Sequence, residues 1–208
     1  TWTGEDPATA NANTAATLDN VTLSPKTAMV STAYSRQLLV QTSFDVNAFV
    51  ANDLALVNAI GLDAAALNGL GSSNQPTGIR NQSGVIVVTF AVNGIIPAWS
   101  HIVDFETQVA INNGDISTIA WLTTPGIRGK LKQVLKNTTS GASFIWDGNE
   151  MNGYAAHVSN QMPSNLTVGT STTVAHSILF GVWSELLVGE FGGGVLELLV
   201  DPYSQKNQ

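Results

Sequence analysis

The segment from Asp45 to Leu67, DVNAFVANDLALVNAIGLDAAAL, constrains the fold more than any other part of the chain. It contains no proline, and Phe49, Leu56, Val57, Ile60, Ala64 and Leu67 recur at intervals of three, four and seven residues. That spacing puts them on one side of a helix with 3.6 residues per turn, a side that must be buried. Asp45 is placed to cap the first turn through its carboxylate, and Asn68-Gly69 supplies the residues that stop a helix. A rod of roughly 23 residues is about 35 Å long at 1.5 Å per residue, as long as a small domain is wide. It predicts a spine rather than one layer of a compact core.

On either side of this rod the pattern alternates between periods. Residues 1–20 are rich in Thr, Ala and Asn without periodicity and read as an extended arm or the remnant of a loop. Val21 to Val30 predicts a strand bounded by Pro25, and Tyr34 to Gln41 a short helix with Leu38 and Leu39 inward. Beyond the polar loop from Gly71 to Gly84, Val85 to Val92 is β-branched and aromatic and predicts a strand. Pro97 opens a second helix with Trp99, Ile102, Val103, Glu106, Val109 and Ala110 mostly on one face, and Asn113-Gly114 stops it. Ile116 to Leu122 predicts a buried strand, and Pro125 begins a third helix reaching about Lys136, with Ile127, Leu131, Val134 and Leu135 inward. Ala142 to Trp146 and Tyr154 to Val158 flank a turn at Asp147 to Gly153, and Ser177 to Phe180, Leu186 to Phe191 and Val195 to Val200 complete the strands. Interspersed helices and strands without a repeat of 20 to 50 residues define the class as α+β.

Composition excludes several kinds of function. Without cysteine there is no thiolate nucleophile, thiolate metal site or disulfide frame. A net charge of -7 with eight basic residues opposes nucleic-acid recognition by phosphate neutralisation, so no sequence-specific nucleic-acid partner is expected. Apolar runs fall short of the roughly 18 residues a membrane span needs, the nearest being Ser177 to Val200, so no membrane partner is expected either. Charged residues make up 11% of the chain against a usual level of about 25%, a depletion typical of surfaces that other proteins cover.

Groups that could perform chemistry are scattered. Gly69-Leu70-Gly71 follows a helix and lacks the last glycine of a dinucleotide loop, and no nucleophile elbow or P-loop occurs. His101, His157 and His176 lie far apart in sequence, leaving a triad of His157 with a serine and an aspartate as the one catalytic alternative. Asp147 to Gly153 has its glycine one place too late for a calcium loop and reads as a turn. Arg128, Lys132 and Lys136 share one helical stripe, with Lys130 nearby. They form either a solvated face or a contact with an acidic neighbouring subunit. No catalytic, cofactor-binding or metal-ligating residue is assigned, and no cofactor is expected.

A set of short motifs carries a resemblance. Ser35-Arg36-Gln37-Leu38-Leu39, the long helix, Ala66-Leu67-Asn68-Gly69-Leu70-Gly71 and Gln75-Pro76-Thr77-Gly78-Ile79 follow one another. After them come Trp121-Leu122-Thr123-Thr124-Pro125, Asn152-Gly153-Tyr154, Met162-Pro163 and Ile178-Leu179-Phe180-Gly181. In that order, over about Leu18 to Val200, the chain resembles the HK97-fold family of tailed-bacteriophage major capsid proteins. The resemblance implies a peripheral domain over 21–84 that holds the spine helix, an axial domain over 85–187, and a return strand in 188–208. It also implies pentamers and hexamers that build an icosahedral shell around DNA, assembled in the bacterial cytoplasm and found in the virion. A scaffold, a maturation protease and a portal are the further partners it implies. The chain starts later and stops earlier than the family pattern, which implies a fragment or processed form. Two alternatives stay open: an encapsulin-like nanocompartment shell, which shares the fold but packages enzymes, and an α+β hydrolase.

Overall fold

The computed structural model describes residues 20–114, 118–139, 141–192 and 197–199. The long helix forms as expected: α2 spans Val46–Asn68, after a short α1 at Arg36–Gln41. The Asp45 carboxylate accepts from Asn47 N at 3.0 Å and Ala48 N at 3.2 Å, satisfying two of the orphan amides of the first turn. Tyr34 donates its hydroxyl to Asn47 Oδ1 at 2.7 Å, tying the preceding segment to the same end. Leu38 and Leu39, expected inward on α1, are both exposed.

The core is built elsewhere, around one mixed sheet. Its strands are β1 (Ile119–Thr123), β2 (Trp146–Asp147), β3 (Glu150–Met151), β4 (Tyr154–Val158) and β7 (Ile178–Val182), in the order β2-β3-β4-β1-β7. Central β1 runs parallel to β4 and antiparallel to β7. A separate hairpin joins β5 (Leu166–Val168) to β6 (Ser171–Ala175). Helix α3 (Trp99–Ile111) and helix α4 (Pro125–Leu131) pack Ile102 and Leu131 into this sheet beside Trp121, Ile145, Trp146, Met151 and Ala156. Trp121 is fully buried at the centre. It stacks on Phe180 at 4.0 Å between ring centroids, meets Phe105 edge-on at 5.3 Å, and donates Nε1–H to Met151 O at 2.9 Å. Every buried side-chain polar atom among the described residues has a partner.

Several predicted strands do not form. Val21 to Val30, Val85 to Val92 and Leu186 to Phe191 belong to no ladder, and most of their large apolar side chains are exposed. Within the second of these, Phe90 packs against His101 and Phe105, and the next residues reach the β5–β6 turn, where Thr170 N donates to Asn93 Oδ1 at 2.9 Å. Half of Val195 to Val200 falls outside the described residues, 197–199 being in no ladder, and residues 1–19 of the expected arm lie outside them altogether. The third helix ends at Leu131 instead of Lys136. Past it the chain pairs with 143–145, through Lys136 N to Ser143 O and Ile145 N to Val134 O, both at 2.9 Å. The turn expected at Asp147 to Gly153 is two turns enclosing β3. The second, Asn152-Gly153, has both residues at positive φ, the type I′ geometry that suits a tight hairpin.

Candidate assembly surface

The residues that close α2 show why its stop signal has the sequence it has. Gly69 N donates to Ala65 O at 2.8 Å to finish the helix, and the chain then doubles back: Gly71 N to Pro76 O at 3.2 Å, Gly78 N to Gly69 O at 2.8 Å. Ser73 and Asn74 turn the tip at positive φ. Asn81 Nδ2 donates to the carbonyls of Asn68 and Gly69, at 3.1 and 2.9 Å, and Arg80 reaches Asn68 Oδ1. Gly69 and Gly78 are both buried, face to face: a Cβ on Gly78 would strike the backbone of Leu67, Asn68 and Gly69. The Asn-Gly and Gln-Pro-Thr-Gly motifs are therefore a clasp holding the helix end to the loop after it. Gly78→Ala is expected to lower unfolding stability by about 1–3 kcal/mol through overpacking, read as a shift in urea midpoint. A shift no larger than that of an exposed Gly61→Ala control would dismiss the clasp.

Over most of its length, helix α2 is covered on the side away from the one its periodicity predicts. Ala51, Leu54, Asn58, Ala65 and Asn68 form its half-buried stripe. Of the residues expected inward, Ala64 and Leu67 are half-buried, but Phe49, Leu56, Val57 and Ile60 are 63%, 61%, 45% and 42% exposed, and Phe49, Leu56 and Ile60 lie about 135–175° around the axis from that stripe at 100° per residue. Val46 is the one fully buried side chain on the helix. The helix also corrects the expectation that no span-length apolar stretch exists, because it has the length and hydropathy of a membrane span. Asp53 and Asp63 lie inside it, each costing about 2.5–3.5 kcal/mol at the centre of a membrane helix. A face of Phe, Leu and Ile punctuated by two aspartates fits a protein partner better than hydrocarbon.

Among the described residues no group of acidic and histidine side chains is arranged to hold a metal. His157 is exposed on β4, with neither a serine nor an aspartate bonded to it. His101 accepts from Ala98 N through Nδ1 at 3.0 Å and serves the start of α3. His176 Nδ1 lies 2.7 Å from Thr124 Oγ1, beside a shallow depression of about 200 Å³. Thr124 Oγ1 also accepts from Ile127 N as the cap of α4, so this contact braces a helix end against the loop before β7. Glu106 accepts from Asn152 Nδ2 and from Tyr154 OH, the latter at 3.0 Å, which locks α3 to the β3–β4 turn. The basic stripe is divided: Lys136 lies over the Trp99 ring, 4.8 Å from its centroid, while Lys130 and Lys132 are exposed. The polar constellations brace the fold, and the large feature left unpartnered is apolar surface.

Comparison with known proteins gives that surface a context. The family described as the phage capsid family matches residues 1–208. The chain is 34% identical over 179 residues to the major capsid protein of Halomonas phage phiHAP-1, an alignment covering 86% of the chain and 27% of that relative. It thus spans about a quarter of the length of the curated relative it matches. Among solved structures, the capsid of a native GTA particle aligns with 71% of this chain and 52% of its own, at 20% identity and a TM-score of 0.49.

Proposed function

Since the chain belongs to the phage capsid family, we propose that it is the shell-building subunit of an icosahedral bacteriophage or prophage head. It is a structural protein rather than an enzyme, and its place is the virion capsid. In this reading copies join into pentamers and hexamers, and the closed shell surrounds the DNA genome. Residues 21–84, with α2, form a peripheral domain. Residues 85–187 hold the buried cluster from Ile102 to Ala156 and form the axial domain, adopting the HK97-like arrangement that the motif order implies. The observation that carries the reading is the family match along the whole chain. The exposed apolar stripe of α2 supports it, because a free monomer gains nothing from holding Phe49, Leu56 and Ile60 in water. A scaffold, a maturation protease and a portal are proposed as accessory partners, with assembly in the host cytoplasm.

Electron microscopy of the purified full-length protein tests this. Closed shells or five- and six-membered rings are expected, with DNA inside particles recovered from an induced host. A protein that stays monomeric at high concentration, alone or with the products encoded beside it, overturns the reading. Particles carrying a cargo enzyme in place of DNA would transfer it to the nanocompartment class.

A further inference from the structure

We propose that neighbouring copies meet through two oppositely charged poles: the outward face of α2 on one copy and the basic segment 128–136 on the next. The inference rests on the shell reading and names the contact that reading leaves open. Charge in this chain is sparse, and two stretches carry a single sign each, the acidic one flanked by Arg36 and Arg80 and the basic one ending at Lys136 beside Asp147 and Glu150. From Gln37 to Ile79 the charged residues are Asp45, Asp53 and Asp63, all acidic, and from Arg128 to Lys136 they are Arg128, Lys130, Lys132 and Lys136, all basic. Asp45 is used up capping α2, and Lys136 is engaged with Trp99. Among the described residues Asp53, Asp63, Arg128, Lys130 and Lys132 have no ion-pair partner. Two unpaired poles of opposite sign on one molecule are complementary between molecules.

Their apolar parts correspond as well. On α2 the aspartates sit among Phe49, Leu56 and Ile60. At the other pole Leu135, three residues after Lys132, pairs with Phe144 across an antiparallel bridge, and both are exposed. Apolar burial supplies adhesion in such a contact, and the charges select partner and register. The two surfaces differ, so the contact is heterologous: each copy offers α2 to one neighbour and 128–136 to the other. A heterologous contact closes into a ring when its rotation divides a full turn.

The test uses the full-length protein and three variants: Asp53→Lys/Asp63→Lys, Lys130→Glu/Lys132→Glu, and the combination of all four. Each double variant juxtaposes like charges at every contact. Each is expected to need about tenfold or more protein to assemble, with circular dichroism and thermal midpoint unchanged. The fourfold variant restores opposite signs within one chain and recovers assembly. An equimolar mixture of the two doubles also recovers it, but copies must alternate, so six-membered rings form and five-membered rings do not. Normal assembly of either double variant, or failure of both the fourfold variant and the mixture to recover, overturns the inference while leaving the shell reading in place. Failure of the unsubstituted protein to assemble overturns that reading and the inference with it.

Discussion

Trp121→Ala is expected to lower the unfolding free energy of the unassembled chain by about 3–5 kcal/mol, the largest single effect in the molecule. The indole is fully buried on the central strand, stacked on Phe180, met edge-on by Phe105, and bonded through Nε1 to Met151 O. Truncation removes the ring from all three contacts at once and takes away the indole donor to the Met151 carbonyl, a hydrogen bond worth about 0.5–1.5 kcal/mol. Total stabilities of 5–15 kcal/mol leave little margin against such a loss. Trp121→Phe separates the two contributions, since it keeps most of the apolar volume and removes the donor. It is expected to cost about 1–3 kcal/mol. Equilibrium urea unfolding at constant slope reads both, and a loss below about 1 kcal/mol for the alanine variant would move the centre of the core away from β1.

The buried half of the molecule was legible in the sequence because its signals agree with one another. Ile116 to Leu122 reads as a strand and Pro125 as a helix start, and β1 at Ile119–Thr123 and α4 from Pro125 are found there. The ends of α2 were equally plain, since Asp45 caps it and Gly69 stops it within one residue of the expected bounds. Its inward face was not. Leu54 lies on one side of the helix and Phe49, Leu56 and Ile60 on the other, so apolar periodicity shows two candidate faces. The choice depends on what the rest of the chain covers. The strands expected at Val21, Val85 and Leu186 were misread for a related reason: β-branched composition reports fit to a pleated, half-buried surface and says nothing about the strand that would pair with it. These misreadings fall mostly on surface that stays exposed in the single chain, where no described strand or helix completes the pattern. The motifs Asn68-Gly69 and Gln75-Pro76-Thr77-Gly78 were visible as words, and their meaning as a clasp required the two glycines to be seen in contact.

The face of α2 that the chain leaves open should be the one whose loss abolishes assembly without disturbing the fold. Leu56→Asp/Ile60→Asp places two carboxylates where the isolated chain already meets water, so the unfolding midpoint should move by no more than about 0.5 kcal/mol per site. In a subunit contact the same change removes two apolar anchors worth about 2 kcal/mol or more each and forces desolvation of two charges. A loss of about 4 kcal/mol per contact is a fall in association constant of about 10³-fold, and a shell multiplies that loss over every contact it makes. Leu62→Asp is the matched control: it is 53% exposed but projects from α2 about 120° away from Leu56 and about 160° from Ile60 at 100° per residue, and it should leave assembly near normal. Sedimentation and microscopy of the three proteins at one concentration discriminate the outcomes. A double variant that assembles like the parent would show that the exposed stripe is not the contact. A double variant that fails to fold would show that Leu56 and Ile60 are buried within the chain, contrary to the arrangement described for α2.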